Sequence, residues 1–347
     1  MSSTVLCAMS GGVDSSVCAK LLADRGFDII GATMLLHEYA PGDAADAAGI
    51  CKSLGAEHLT LELGDLFRAE VIEPFISAYE HGETPNPCIE CNRHLKFGRL
   101  LEEAGRLGCD YIATGHYARI SYDEASGRYL LKKALHPVKD QSYVLYRLTQ
   151  HQLAHTLFPL GELTKDEVRA AAEAAGFSNA HKGDSQDICF IPDGDYSAFI
   201  RSFTGRRYPE GAFLGTDGKV LGRHSGIINY TIGQRRGLGI ALGERAYVCG
   251  IDASANTVTL GRNEDLFTDR VRIDRLNLIS VPDITEPIRA EVKLRYSHRP
   301  QPATVTRTDD DLAEIVFDAP QRAVTPGQSA VIYQGDTVVG GGYILGD

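Results

Sequence analysis

The 347-residue chain has no hydrophobic run that approaches the roughly 20 residues needed to cross a membrane. It also lacks a basic N-terminal segment followed by an apolar core, so we expect no secretory signal. It shows no internal repeat and no low-complexity tract. These absences, together with the length, predict a cytoplasmic globular protein of two or three domains that does not bind membranes.

The chain has no excess of positive charge either, since its formal net charge is −11. This argues against a general nucleic-acid coat but leaves room for a local basic site, because binding depends on where the charge lies. The eight cysteines imply no disulfide framework in a chain this long. Cysteines with polar, turn-rich neighbours are more often catalytic or metal-binding, whereas those in apolar patterns are small buried residues. The first kind comprises Cys88, Cys91 and Cys189, and the second Cys7, Cys18 and Cys109.

Over about the first 120 residues, strand and helix patterns alternate. Apolar runs that are separated by helical periods and ended by glycines predict a doubly wound parallel sheet, the α/β class. Residues 118–135 predict a hairpin, and Thr164 with Glu167 predicts a capping box at a helix start. After about residue 200, short β-prone runs predict two small β-rich domains, the last of them barrel-like. We therefore expect domains at 1–200, 201–265 and 266–347.

The segment SGGVDSS, residues 10–16, lies between the first predicted strand and the first predicted helix. Gly11 and Gly12 can adopt positive φ and admit a phosphate close to backbone N–H groups, while the helix adds the positive end of its dipole. The serines supply hydroxyl donors, and Asp14 could cap the helix or hold Mg²⁺. The alternative is a plain Gly-Ser turn capped by Asp14. The chain has neither a Walker Gly-Lys-Ser/Thr nor a G-x-G-x-x-G fingerprint.

This strand, loop and helix resemble the pyrophosphate loop (PP-loop) of the N-type ATP pyrophosphatase family. The resemblance implies that ATP is cleaved, with Mg²⁺, to AMP and pyrophosphate, usually to adenylate a carbonyl oxygen. Met34 and Gly115 match further ATP-binding positions, and both lie where strand ends are expected, at the edge where open α/β sheets bind ligands. The implied loop residues are Ala8, Met9, Ser10, Gly11, Gly12, Val13, Asp14 and Ser15.

Five further stretches together resemble the tRNA 2-thiouridylase family, and the likeness covers nearly the whole chain. The resemblance implies that the C2 oxygen of the wobble uridine in certain tRNAs, such as those for Lys, Glu and Gln, is replaced by sulfur. A cysteine desulfurase or a sulfur-relay protein would supply the sulfur. Two other functions stay open: another PP-loop ligase or synthetase, and a non-catalytic metal- or cluster-binding RNA module. The stretches are TPNPCIECNRHLKFG (84–98), ATGHYAR (113–119), KDQSYVL (139–145), GDSQDICFI (183–191) and YTIGQRRGLGI (230–240).

The resemblance assigns roles to two cysteines. Cys91 matches the family's nucleophile, Cys189 matches the cysteine that carries a persulfide, and the two can form a disulfide after the sulfur leaves. The chemistry agrees, because a thiolate or persulfide can displace AMP once the oxygen is adenylated. The pattern also predicts a helix that begins near Arg93, whose N-terminus would lower the pKa of the Cys91 thiol.

Cys88 departs from part of the family, in which many members carry an aspartate that touches the target base. Here Cys88 and Cys91 form a C-x-x-C, with Cys189 as a possible third ligand. Three thiolates with an open fourth position could hold a [4Fe–4S] cluster whose free iron carries a sulfide, or they could hold Zn²⁺. A third interpretation is that Cys88 is only a tolerated turn cysteine. The residues leave a persulfide relay and a cluster-assisted transfer both open.

The resemblance also implies a set of tRNA contacts. Without it, Lys139 and Asp140 would be interpreted as solvated loop charge. Arg295 suits a backbone phosphate, and Tyr296 can stack on an unpaired base. The implied tRNA-binding residues are His116, Lys139, Asp140, Gln141, Arg295, Tyr296 and Gln328.

Overall fold

The computed structural model describes residues 2–36, 41–183, 188–241 and 243–346, with the backbone alone at 41–43. The strands of the N-terminal part are β1 (Thr4–Ala8), β2 (Asp28–Leu35), β3 (Glu57–Glu62), β4 (Tyr111–Ala113), β5 (Ala118–Asp123), β6 (Arg128–Lys133) and β7 (Thr156–Leu157). A five-stranded parallel sheet has the order β3-β2-β1-β4-β7. The predicted hairpin is confirmed as β5 and β6.

Helices pack on both faces of this sheet, and further helices lie away from it. They are α1 (Val13–Asp24), α2 (Pro41–Ser53), α3 (Gly64–Phe67), α4 (Glu73–Glu80), α5 (Pro87–Glu90), α6 (Leu100–Arg106), α7 (Gln150–Ala154), α8 (Lys165–Ala174) and α9 (Tyr196–Thr204). Successive side chains of β1 point to opposite faces, so Leu6 packs with Leu100 of α6, while Cys7 packs with Val17 of α1 and Val168 of α8. The predicted doubly wound α/β arrangement is confirmed, as is the capping box of Thr164 and Glu167 that begins α8.

Two π-helical segments join short helices into longer ones. Arg68–Ile72 connects α3 to α4, and Cys91–Arg99 connects α5 to α6. The second continuous helix, residues 87–106, lies at the junction of two buried clusters. Ile89 and Phe97 pack with Tyr143, Val331 and Tyr343, whereas Cys91 and Leu95 pack with Ile191, Phe213 and Ile228.

The remaining strands form two further sheets, as predicted. The first consists of β8 (Gly211–Gly215), β9 (Val220–His224), β10 (Tyr247–Asp252) and β11 (Thr257–Gly261), in the order β10-β11-β8-β9. The second consists of β12 (Phe267–Leu278), β13 (Ile288–Lys293), β14 (Gln301–Asp309), β15 (Leu312–Arg322), β16 (Ser329–Gln334) and β17 (Thr337–Ile344). Its order is β12-β15-β14-β13-β16-β17, and pairing of β12 with β17 closes it into a barrel.

The hairpin β5–β6 joins the N-terminal part to the barrel, because β6 pairs with β17 at Lys132 and Thr337. The first of the predicted domains therefore contributes strands to the sheet of the third, while the boundaries at 200 and 265 stay a prediction. Within the described ranges, every helix is too short or too polar to span a bilayer.

Candidate active site

The predicted phosphate loop, residues 8–15, lies at the carboxyl end of β1. The Met9 N–H donates to the Ala32 carbonyl at 2.8 Å, which fixes the start of the loop to β2. Gly11 has a φ of +66°, as predicted. Gly12 has a φ of −91°, so the prediction of positive φ is wrong for this second glycine, which is the extended residue that precedes α1.

Hydrogen bonds within the loop hold its shape. The hydroxyls of Ser15 and Ser16 both donate to the Gly12 carbonyl at 3.0 Å. The Asn179 amide donates to the Gly11 carbonyl at 3.0 Å and to Ser16 Oγ at 2.9 Å. Because these two serine hydroxyls donate inside the loop, the first N–H groups of α1 are the donors best placed for an anion.

Asp14 is the second residue of α1 and does not cap it, so the predicted cap is wrong; Gly12 occupies the N-cap position. Asp14 Oδ1 accepts from the Tyr117 hydroxyl at 2.8 Å and from Lys165 Nζ at 2.7 Å. An oxygen that already accepts two hydrogen bonds is a poor ligand for a cation. In the part of the chain that the structure describes, no group of three His, Cys, Asp or Glu residues could hold a metal ion. Mg²⁺ therefore stays a prediction, without a ready protein site.

The other two predicted ATP residues lie at the same edge. Met34 is next to the last residue of β2, and Gly115 closely follows β4. A Cβ on Gly115 would lie 2.9 Å from the Asp14 carbonyl carbon and 3.0 Å from the Ser15 nitrogen, so this segment packs directly on the loop. The structure thus brings the predicted ATP residues together, while their binding of ATP stays a prediction.

The helix that carries the cysteines begins earlier than predicted. It starts at Pro87 rather than near Arg93, and Asn86 caps it by accepting the Cys88 N–H at 3.1 Å. Asparagine followed by proline is a recognised start signal, so the sequence did contain the correct boundary. Cys91 consequently lies inside the helix, at the beginning of the π segment, and gains little from the helix N-terminus.

The predicted lowering of the Cys91 pKa is also wrong. The side chain is buried, with 8 % of the residue exposed, and burial raises its pKa to about 11. The positive charge of Lys96 opposes this rise, whereas the thiols of Cys189 and Cys88 add to it. Cys91 is therefore a neutral thiol in the free protein at physiological pH.

The three candidate cysteines lie close enough to influence one another. Cys88 and Cys189 are exposed, and all three are free thiols. Partial removal from water raises the pKa of Cys189, and the nearby Cys88 thiol raises it further. The structure thus brings two exposed thiols and one buried thiol into a single cluster. Residues 184–187 of the GDSQDICFI stretch lie outside the described residues.

This thiol cluster does not form a metal site. Cys88, Cys91 and Cys189 are all described, yet they are not placed to hold a metal ion together. Their arrangement does not fit a [4Fe–4S] cluster or Zn²⁺.

Glu90, inside the C-x-x-C, holds the cysteine helix against the barrel. Its carboxylate accepts a hydrogen bond from the Tyr343 hydroxyl of β17, and His94 Nε2 lies 3.2 Å from it. Burial alone would raise the pKa of Glu90, but the hydrogen bonds from His94 and Tyr343 outweigh it and lower the pKa. The sequence offered no separate signal for this residue, because its partner is 253 positions away.

Of the predicted tRNA residues, His116 is the most deeply buried, with 8 % exposed. Its Nδ1 lies 2.7 Å from Thr114 Oγ1, and its ring packs between Phe97 and Phe158 at centroid distances of 5.8 Å and 6.0 Å. Burial keeps its pKa well below the ordinary value. His116 is thus a neutral core side chain behind Gly115, and a tRNA contact by it stays a prediction.

The KDQ segment forms a braced loop. Asp140 Oδ1 accepts from the Ala134 N–H at 2.9 Å, and its Oδ2 accepts from the Ser142 hydroxyl at 2.9 Å. Gln141 Oε1 accepts the Tyr117 N–H at 2.9 Å. Lys139 ends a 3₁₀ turn, Pro137–Lys139, and is half-buried. The acid and the amide therefore shape the loop that presents Lys139.

The three predicted tRNA residues of the barrel region, Arg295, Tyr296 and Gln328, have different surroundings. Arg295 donates to the carbonyl of Ala323 at 2.6 Å and to the Thr325 hydroxyl, so its guanidinium is engaged within the protein. Gln328 Nε2 donates to the Thr84 carbonyl at 2.7 Å and so ties the cysteine-bearing segment to the barrel. Tyr296 is 43 % exposed. Burial raises the pKa of Tyr296, and the nearby Asp140 carboxylate and Cys88 thiol raise it further.

Sequence reasoning missed several polar residues at these sites. Lys182 Nζ lies 3.5 Å from the Gly11 carbonyl and 3.2 Å from Asp46 Oδ2, beside the phosphate loop. Lys165 and Asn179 also contact that loop, as described above. Lys96 was visible in the quoted NRHLKFG stretch, but only the fold shows that its charge reaches all three thiols.

Because the pKa of Cys91 is raised, we expect this thiol to be alkylated slowly in the free protein. At pH 8 about one Cys91 thiol in a thousand is ionised, against about a quarter of ordinary cysteine thiols. We expect iodoacetamide to label Cys91 at least about tenfold more slowly than the exposed Cys189, with a rate that rises up to about pH 11. Quenched labelling followed by peptide mass spectrometry measures both rates. Labelling of Cys91 before Cys189 would contradict the structure.

Comparison with known proteins agrees with this architecture. The family model described as tRNA methyl transferase HUP domain matches residues 3–193. The tRNA methyl transferase PRC-barrel domain matches residues 197–262, and the aminomethyltransferase beta-barrel domain matches residues 268–344.

Relatives of known name match almost end to end. The tRNA-specific 2-thiouridylase MnmA of Clostridioides difficile is 47 % identical, over 99 % of this chain and 98 % of that protein. MnmA of Acetivibrio thermocellus is 47 % identical over 98 % of both chains, and MnmA 1 of Caldanaerobacter subterraneus is 48 % identical over 98 % and 97 %. A solved 4-thiouridine synthetase–RNA complex has a TM-score of 0.39 and 21 % identity, covering 56 % of this chain and 46 % of that one. On the strength of the full-length relatives, this chain belongs to the tRNA-specific 2-thiouridylase family.

Proposed function

We propose that this protein is a tRNA-uridine 2-sulfurtransferase. It uses ATP to adenylate the C2 oxygen of the wobble uridine and then replaces that oxygen with sulfur. One observation carries the proposal: the predicted phosphate edge and the thiol cluster meet at one helix. This helix carries Cys88 and Cys91, and the ring of its Phe97 lies 5.8 Å from the ring of His116, which directly follows Gly115.

The first step activates the base. The C2 oxygen attacks the α-phosphorus of ATP, the bond from that phosphorus to the oxygen bridging to the β-phosphorus breaks, and pyrophosphate leaves. The N–H groups at the start of α1 stabilise the departing negative charge, and Lys182 lies beside the same loop. Mg²⁺ would enter with the ATP phosphates, since Asp14 Oδ1 is already occupied by Tyr117 and Lys165.

The second step transfers sulfur through two cysteines. A donor, either a cysteine desulfurase or a relay protein, delivers a sulfur atom to the exposed Cys189 as a persulfide. The terminal sulfur bonds to C2, and AMP leaves with the former C2 oxygen. The Cys91 thiol then attacks Cys189 Sγ, its proton passes to N3 of the pyrimidine, and the persulfide S–S bond breaks with its electron pair on the sulfur now held by C2. The products are 2-thiouridine and a Cys91–Cys189 disulfide, which a cellular dithiol reduces. The exposure of Cys189 suits its role as the acceptor of sulfur from a donor protein.

The tRNA would enter between the barrel and the cysteine helix. Tyr296 is exposed beside Cys88, where its ring can stack on a base turned out of the anticodon loop. The loop that presents Lys139 offers a positive charge for the backbone. The internal bonds of Arg295, Gln328, Asp140 and Gln141 favour a role in shaping this surface over a direct contact.

A reconstitution tests the proposal. Protein purified without oxygen is incubated with ATP, an unmodified tRNA that carries a wobble uridine, and a persulfide-loaded cysteine desulfurase. The expected product is 2-thiouridine in the digested tRNA, measured by liquid chromatography and mass spectrometry. Pyrophosphate release without any dependence on tRNA would instead indicate a ligase or synthetase. Binding of tRNA without pyrophosphate release would indicate a non-catalytic RNA module.

A further inference from the structure

Lys96 occupies the boundary between the two predicted sites. It lies on the π segment Cys91–Arg99, in which each N–H donates to the carbonyl five residues earlier, so it follows Cys91 by about one π turn. The adjacent Phe97 is fully buried, and its ring lies 5.8 Å from the ring of His116. The helix therefore holds Lys96 between the thiol cluster and the nucleotide edge.

The surroundings of Lys96 differ from those of the other cations on this segment. Arg93 lies 3.9 Å from Glu90, and Arg99 lies 3.1 Å from Glu102. Lys96 is half-buried, and no carboxylate within the described ranges is paired with it. A partly buried charge without a partner is unfavourable, so an anionic ligand at this position would be stabilising.

We infer that Lys96 binds the α-phosphate of the adenylated uridine. The inference rests on the proposed function and adds a catalytic residue to it. In the adenylated base, one oxygen joins the α-phosphorus to the carbon that sulfur attacks. The α-phosphate must consequently lie between the nucleotide edge and the thiols, which is where the structure places Lys96.

A cation at the position of Lys96 assists both adenylation and sulfur transfer. Negative charge develops on the α-phosphate oxygens when the C2 oxygen attacks, and AMP carries that charge away when sulfur displaces it. A positioned ammonium that donates to these oxygens stabilises both transition states in a partly water-excluded site.

The test removes the charge and measures adenylation apart from sulfur transfer. Lys96→Met is compared with Arg99→Met, a matched control on the same segment whose charge is paired with Glu102 and Glu103. We expect tRNA-dependent pyrophosphate release to slow by about 100-fold in Lys96→Met and by less than about twofold in Arg99→Met. Lys96→Arg, which keeps the charge, should recover at least about a tenth of the wild-type rate.

Binding of α,β-methylene-ATP without tRNA is the second readout, and it should stay within about twofold of wild type in Lys96→Met. Wild-type pyrophosphate release with loss of thiolation alone would overturn the inference, because Lys96 would then act on the thiols. A parallel loss of analogue binding would overturn it as well. If Lys96→Met fails to fold, Lys96→Gln takes its place under the same criteria. Absence of tRNA-dependent pyrophosphate release in the wild type would instead refute the proposed function.

Discussion

Replacement of Cys91 with serine should abolish 2-thiouridine formation, by a factor of at least about 1,000, while tRNA-dependent pyrophosphate release stays within a few-fold of wild type. Adenylation does not use the thiol, whereas resolution of the persulfide needs a sulfur nucleophile that can accept a disulfide bond. A hydroxyl at the same buried place cannot do this. Initial rates of thiolated nucleoside and of pyrophosphate, measured on the same samples, separate the two steps.

Cys249→Ser is the matched control, because this free cysteine is half-buried in the sheet of β8 to β11. The Cys249→Ser variant should form 2-thiouridine at the wild-type rate.

The Cys88→Ala variant discriminates between the two routes of sulfur transfer. If the persulfide route operates, this variant keeps most of the thiolation activity. Loss of activity in Cys88→Ala, together with iron and acid-labile sulfide in the purified wild type, would restore the cluster route. Unchanged thiolation by Cys91→Ser would refute the role of Cys91.

Replacement of Gly115 with alanine should weaken ATP binding by at least about 100-fold. The new Cβ would lie 2.9 Å from the Asp14 carbonyl carbon and 3.0 Å from the Ser15 nitrogen, which are backbone atoms of the phosphate loop. Since backbone atoms cannot rotate away from the new Cβ, the loop has to shift. Its N–H groups then no longer point at the phosphates. Calorimetric titration with α,β-methylene-ATP measures the change.

Gly105→Ala is the control for this change, because a Cβ at Gly105 in α6 would meet no atom within 4 Å. It should leave ATP binding unaltered and stabilise the protein by about 0.5–1 kcal/mol, as expected for alanine in a helix. Gly115→Ala should lower the free energy of unfolding by about 1–3 kcal/mol, which urea denaturation measures. Wild-type affinity in Gly115→Ala would show that the loop does not bind the nucleotide.

Much of the fold could be predicted because its signals are local. Apolar runs and glycine-ended helical periods gave the parallel sheet, and the Thr164 capping box gave the start of α8. The positive φ of Gly11 followed from a strand that turns at once into a helix. These features depend on neighbouring residues, so the sequence alone contains them.

The site was harder to predict because its geometry depends on distant contacts. The start of the cysteine helix was misplaced although Asn86 and Pro87 signalled it, and the π segment that sets Lys96 after Cys91 has no sequence signature. Cys91 is buried in one cluster with Phe213 and Ile228, which belong to another sheet and its connecting segment. The bond from Tyr343 to Glu90 joins the last strand to the helix. None of these contacts can be read from local pattern.

The central claim is that ATP is broken at its α-phosphorus beside thiols that deliver sulfur to the base. The most direct test incubates ATP labelled at the α-phosphate with the protein, cognate tRNA and a persulfide donor, and identifies the labelled product by thin-layer chromatography. The account predicts labelled AMP in an amount equal to the 2-thiouridine formed. Labelled ADP in place of AMP would contradict it.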